Sequence, residues 1–250
     1  MRTGLLILFL LLAGGVLPLS AGSGEKLSKD PREMTAQEFM NAVRNPPFRR
    51  SWALLQGEAV HKREGKGTLR APLRVGILFT PTRTLAQIDF DNGEIYHVGQ
   101  SYGAKGTTTV ENMFPKVRKP RIGIFGIDPT DLSMSFLYYD LVKEGKKESI
   151  KTLPCRVFYL KKKGSPLFVR AVITRDYLFP LQVDFFAGEG KKPYKTMEVT
   201  AFRKKGEYYH PDRIRLEGEN WKSMISFREM DADRMDKRLP PSLFREVKKQ

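Results

Sequence analysis

Side chains that could carry acid–base, nucleophilic or metal chemistry are few in this sequence and stand apart. The three histidines, His61, His97 and His210, fall in separate segments without H-x-x-x-H spacing or an H-x-E motif. The single cysteine, Cys155, completes no zinc pattern. No G-x-S-x-G elbow and no phosphate loop is written. The stretch GEGKKPYK resembles such a loop but lacks the Gly-Lys-Ser/Thr ending, and it reads as a hairpin. Asp and Glu total 28, and pairs of them could meet in space, so the pattern disfavours catalysis without excluding it. Neither a metal nor a cofactor is expected, and Cys155 reads as a small buried hydrophobe.

The chemistry the sequence does offer is apolar binding. DLSMSFLYYDLV, residues 131–142, packs Met134, Phe136, Leu137, Tyr138, Tyr139, Leu141 and Val142 between Asp131 and Asp140. Read as a helix, it places Met134, Leu137, Tyr138 and Leu141 at i, i+3, i+4 and i+7, with Asp128, Thr130 or Asp131 as cap.

Such a segment needs a surface to lie on, and the rest of the chain is written mainly as strands. One helix is expected at residues 35–45, with Thr35 as N-cap, Glu38 completing a capping box, and Met34 and Phe39 as a hydrophobic staple. From Trp52 the pattern turns to period two, through SWALLQGEAVHK, GTLRAPLRVGILFT, LAQIDFD, EIYHVG, RIGIFG, CRVFYLKKK, LFVRAVITRD, LQVDFFAG, KTMEVTAFRKK, DRIRLEG and WKSMISFREM. Short links rich in Gly, Asn, Asp and Pro join them, so a meandering antiparallel sheet is expected. Leu181, Val183 and Phe185 share one face, as do Ile214 and Leu216, and Trp221, Ile225 and Phe227, while Arg213, Arg215, Lys222 and Arg228 take the other. A greasy face and a basic face are the result. Two short helices over a large sheet cover the greasy face incompletely and predict an apolar hollow beneath residues 131–142; if the hollow holds a cargo that must be released, the cover's own apolar contacts are expected to be modest.

The N-terminus carries Arg2, an apolar run and a small-residue exit near Ala21, the pattern of a cleavable signal peptide over 1–21. A loose lead over 22–33 and a single domain over 34–250 are expected to follow. The net charge of +16 suits an anionic partner, and export makes nucleic acid the least suitable. With one cysteine, an exported chain has no internal disulfide and depends on packing.

The blocks MFPKVRKPRIGIFGIDPTDLSMSFLYYDL, CRVFYLKKK, LFVRAVITRDYLFPLQVDFFAGEGKKPYKTMEV, YYHPDRIRLEG and LPPSLF, in this order, resemble the outer-membrane lipoprotein-sorting family of the periplasmic carrier LolA and its acceptor LolB. The resemblance runs from about Trp52 to Phe244. Ile127 stands where the family usually has Thr or Ser. The resemblance implies a mainly β fold, a curved antiparallel sheet forming an incomplete barrel with a small helical lid. It further implies a monomeric, non-catalytic periplasmic carrier of lipoprotein or lipid acyl chains, loaded by an inner-membrane donor and unloaded to an outer-membrane acceptor. The candidate cavity and lid residues are Met134, Phe136, Leu137, Tyr138, Leu181, Val183, Phe185, Ile214, Leu216, Trp221, Ile225 and Phe227. Lys116, Arg118, Lys119 and Arg121 are candidates for transient contact with an anionic membrane or an acidic partner. A lipid-sensing regulatory module and a structural envelope protein are the alternatives.

Overall fold

The structure, a computed structural model, describes residues 29–45, 50–103, 106–113, 120–188, 190, 192–205, 208–235 and 239–247. The expected signal peptide and the docking residues Lys116, Arg118 and Lys119 lie outside the described residues.

Helix α1 (Ala36–Arg44) begins where its sequence predicts. The Thr35 hydroxyl accepts from the Glu38 amide at 3.2 Å, and the Glu38 carboxylate accepts from the Thr35 amide at 2.7 Å. Met34 and Phe39 flank this cap and are both buried in the main core, as a staple requires.

Two meanders make the sheet. The first is β1 (Ser51–Arg63), β2 (Lys66–Phe79), β3 (Arg83–Phe90), β4 (Ile95–Ser101) and β5 (Thr108–Asn112). The second is β6 (Asp140–Glu144), β7 (Glu148–Ile150), β8 (Leu153–Lys161), β9 (Leu167–Thr174), β10 (Pro180–Ala187), β11 (Lys195–Lys205), β12 (Tyr208–Gly218) and β13 (Trp221–Arg234). Last strand pairs with first, from Ser51↔Arg234 to Arg63↔Trp221, and this fuses the meanders into one 13-stranded antiparallel sheet. A bulge at Gln56/Gly57 brings the two strands so close that a Cβ at Gly57 would lie 2.0 Å from the Ser226 carbonyl oxygen, so only glycine fits. The strand order ends at β5 on one side and β6 on the other, and the sheet does not close into a barrel.

Strand expectations hold except at RIGIFG, whose residues form helix α2 (Arg121–Ile124). Period two cannot separate a buried strand from a single helical turn when the apolar run is this short. The continuous helix read from residues 131–142 is also corrected. Helix α3 (Pro129–Leu132) stops at Met134, whose φ of 52° is left-handed; a 3-10 turn over Ser135–Tyr138 follows, and β6 starts at Asp140. Asp128 is the cap, and Asp131 closes its capping box.

The sheet's helix-bearing face is the core. Its other face is not simply basic as the alternation predicts, because acids interleave with the cations: Arg215 pairs with Glu198, Arg228 lies 3.6 Å from Glu58 and Arg213 3.7 Å from Asp212. On this outer side the LPPSLF segment lays Leu239, Leu243 and Phe244 against Trp52, Leu54 and Leu78. That covering explains why β1 and β2 carry apolar residues on both faces.

Candidate functional site

The candidate cavity residues converge. Leu181, Val183 and Phe185 of β10, Ile214 and Leu216 of β12, and Ile225 and Phe227 of β13 all belong to one buried apolar cluster with Met134, Phe136 and Leu137; Trp221 and Tyr138 are half-buried against it. The faces chosen by alternation are therefore the inner ones. The rings of Phe136 and Phe185 meet edge to face at 5.6 Å, joining the 131–142 stretch to β10.

Residues 120–139 lie over this face and are tied down around their length. At the first end, Pro120 offers α2 no side-chain cap, and the buried Glu94 from the β3–β4 turn supplies one. Its carboxylate accepts from the amides of Arg121 at 2.5 Å and Ile122 at 3.2 Å, and from the Tyr96 hydroxyl at 2.8 Å. Burial, and then the neighbouring Glu94, push the Tyr96 phenol well above its ordinary range, so it stays a donor. Arg121 itself is held by Asp91, so the one described member of the docking set is already paired.

Next, Ser223 of β13 donates to the Phe125 carbonyl at 2.6 Å. Its only proton is thereby used, so His61 of β1, 2.9 Å away, donates to Ser223 Oγ from Nδ1. Ser223 has no exposed surface, and this arrangement positions a backbone rather than activating a nucleophile. One residue on, Gly126 adopts φ 67° with the Trp221 ring where a side chain would stand; a Cβ there would meet it at 2.4 Å.

In α3, Asp131 accepts from Lys195 Nζ of β11 at 2.6 Å, a pair almost without exposure. Lys195 also lies 4.4 Å from the centre of the Phe185 ring. Burial pushes the Asp131 carboxyl up, against the pull of Lys195, and burial beside Asp128 and Asp131 pushes the Tyr139 phenol up to about 12. At the far end the buried Arg44 donates to the carbonyls of Leu137 at 2.7 Å and Tyr139 at 2.6 Å, while the Tyr138 hydroxyl donates to the Arg44 carbonyl at 3.2 Å. Glu94, His61, Ser223, Lys195 and Arg44 were not among the sequence candidates. Glu94 is written in a turn and Arg44 at a helix end, so nothing in their local sequence marks them as buried or names their partners.

Between these ties the contacts are apolar. Ile122, Phe125, Ile127, Leu132, Met134, Phe136 and Leu137 are all buried. The expectation of modest apolar contacts is therefore corrected, since each such side chain contributes about 1.5–3 kcal/mol when removed from water. Below them Val183, Ile214, Leu216 and Ile225 are 0% exposed, so side chains rather than solvent surround these four in this conformation. Among the described residues no three His, Cys, Asp or Glu side chains gather as a metal site. Cys155 is buried, which pushes its thiol up and matches the hydrophobe reading.

The His61 contact makes stability pH-dependent. Burial, and secondarily Arg63, hold its imidazole below the ordinary range. The unfolded chain then takes the proton first, so this contribution is complete above about pH 6.5 and is lost as the pH falls below that value. Urea midpoints measured from about pH 7.5 to about pH 5 should fall, and His61→Asn, which keeps a donor for Ser223, should remove that component.

No family model matches the sequence, and no curated protein matches it. Solved structures do share its fold. A putative outer membrane lipoprotein-sorting protein domain from Vibrio parahaemolyticus superposes with a TM-score of 0.57 at 12% identity, covering 79% of this chain and 90% of that one. A DUF1329 family protein from Desulfovibrio piger gives 0.56 at 14% identity, covering 80% and 92%. A LolA superfamily protein from Nitrosomonas europaea gives 0.54 at 13% identity, covering 85% and 98%.

Proposed function

Because the fold matches that of the LolA/LolB-like proteins, we propose that this chain is a non-catalytic periplasmic carrier whose concave face takes up lipoprotein or lipid acyl chains for transfer toward the outer membrane. The observation that carries the reading is the division of labour over residues 120–139. Apolar side chains pack against the concave face, while polar ties from Glu94, Ser223, Lys195 and Arg44 hold the segment to its surroundings. Acyl chains can replace the first, and water can replace the second.

Energetics suit an exchange. A chain left in water costs about 0.8 kcal/mol per methylene, so its burial against Val183, Phe185 and Ile225 offsets the loss of Met134, Phe136 and Leu137 from the same face. Release follows when the lid side chains return. The described residues contain no helix long and apolar enough to cross a membrane, and the proposed route needs none.

A structural envelope protein with a permanently filled core is the second reading, and the fully covered concave residues favour it equally. Native mass spectrometry with lipid extraction, on the mature protein purified from a periplasm, separates the two. Acylated species bound to the wild type and absent from a folded Leu137→Asp variant are expected of a carrier. A wild type that stays empty when offered acyl compounds, with a variant that unfolds, supports the structural reading.

A further inference from the structure

Lys195 is out of place if the concave face takes only uncharged acyl groups. It stands on the sheet, at the first residue of β11, with its ammonium among apolar side chains and over the Phe185 ring. Its carboxylate partner, Asp131, belongs to the covering segment. Asp131 also accepts from the Asp128 amide within that same segment, at 2.7 Å. Lifting residues 120–139 therefore leaves the capping box intact and separates Asp131 from Lys195. If acyl chains then fill the hollow and exclude water, the ammonium is left desolvated without an anion, a costly state.

We propose that Lys195 is the headgroup contact of the concave site, exchanging the Asp131 carboxylate for the carboxylate or phosphate of an anionic acyl lipid when the covering segment lifts. The inference rests on the carrier reading and narrows its cargo. Asp131 acts as the stand-in for the ligand's anionic group, so the closed chain and the loaded chain both keep Lys195 paired. An uncharged acylglyceryl group would leave it bare.

The test is titration of the mature protein, below micelle concentrations, with oleate, lysophosphatidylglycerol, monoolein and inorganic phosphate. Trp221, beside Gly218 and Gly126, serves as the fluorescent reporter. Oleate and lysophosphatidylglycerol should bind about tenfold more tightly than monoolein, phosphate alone should not compete at similar concentrations, and Lys195→Met should abolish the preference. Lys195→Arg should keep it, and Asp131→Asn should raise affinity for the anionic lipids more than for monoolein. Equal binding of monoolein and oleate by the wild type overturns the inference while leaving the carrier reading intact. So does an Asp131→Asn variant that gains equally for all acyl ligands, or phosphate binding that needs no acyl chain. Failure of every acyl compound to bind overturns both. The wild-type preference decides the matter even if Lys195→Met does not fold.

Discussion

Phe136→Ala should lower the stability of the closed chain by about 3–5 kcal/mol, the range for truncating a buried phenylalanine whose surroundings cannot collapse. Phe136 is 1% exposed, and its ring is set against Phe185 at 5.6 Å on a concave wall of sheet residues that register holds in place. The sheet cannot close over the space, so a dry hollow is expected. Small apolar probes such as xenon should bind the variant and restore part of the lost stability. Urea unfolding with and without xenon checks both halves. A loss below about 1 kcal/mol would mean that Phe136 does not bear on the sheet as described.

Arg44→Met should act differently, with its effect concentrated in the covering segment. The variant removes a buried charge, which favours the fold, but it orphans the carbonyls of Leu137 and Tyr139, each costing about 1–3 kcal/mol while buried. Those carbonyls can regain partners by moving into water, and the 3-10 turn that carries them is the part that must move. Hydrogen exchange over residues 120–139 should accelerate at least tenfold, while exchange in β1, β2 and β13 changes little. Uniform acceleration across the sheet would show that Arg44 supports global stability instead of holding the cover.

Alternation showed from the sequence which side chains share a face, as in Leu181, Val183 and Phe185 and in Ile225 and Phe227. Which of the two faces lies under the cover was not legible, because a one-residue slip in register exchanges them, and only the folded sheet places these residues in the core. The Thr35 cap was plain, because its partner Glu38 is three residues away. The cover was harder. A Met134 in left-handed backbone breaks a segment whose apolar spacing suits a helix, and nothing local announces it. The ties were hidden for a different reason: Arg44 meets Leu137, Ser223 meets Phe125 and Lys195 meets Asp131 only after the chain has folded. Contacts of such sequence separation depend on topology, and a single sequence writes each partner without naming the other.

The central claim, that acyl chains occupy the concave face in place of residues 120–139, is tested most directly by photo-crosslinking. The mature protein is incubated with a fatty acid bearing a diazirine along its chain, irradiated, and the adducts are mapped by peptide mass spectrometry. Adducts on Val183, Phe185, Ile214 or Ile225, suppressed by unlabelled lipid, are the predicted result. Adducts confined to exposed apolar residues such as Leu69 and Val142, unaffected by competitor, would contradict it.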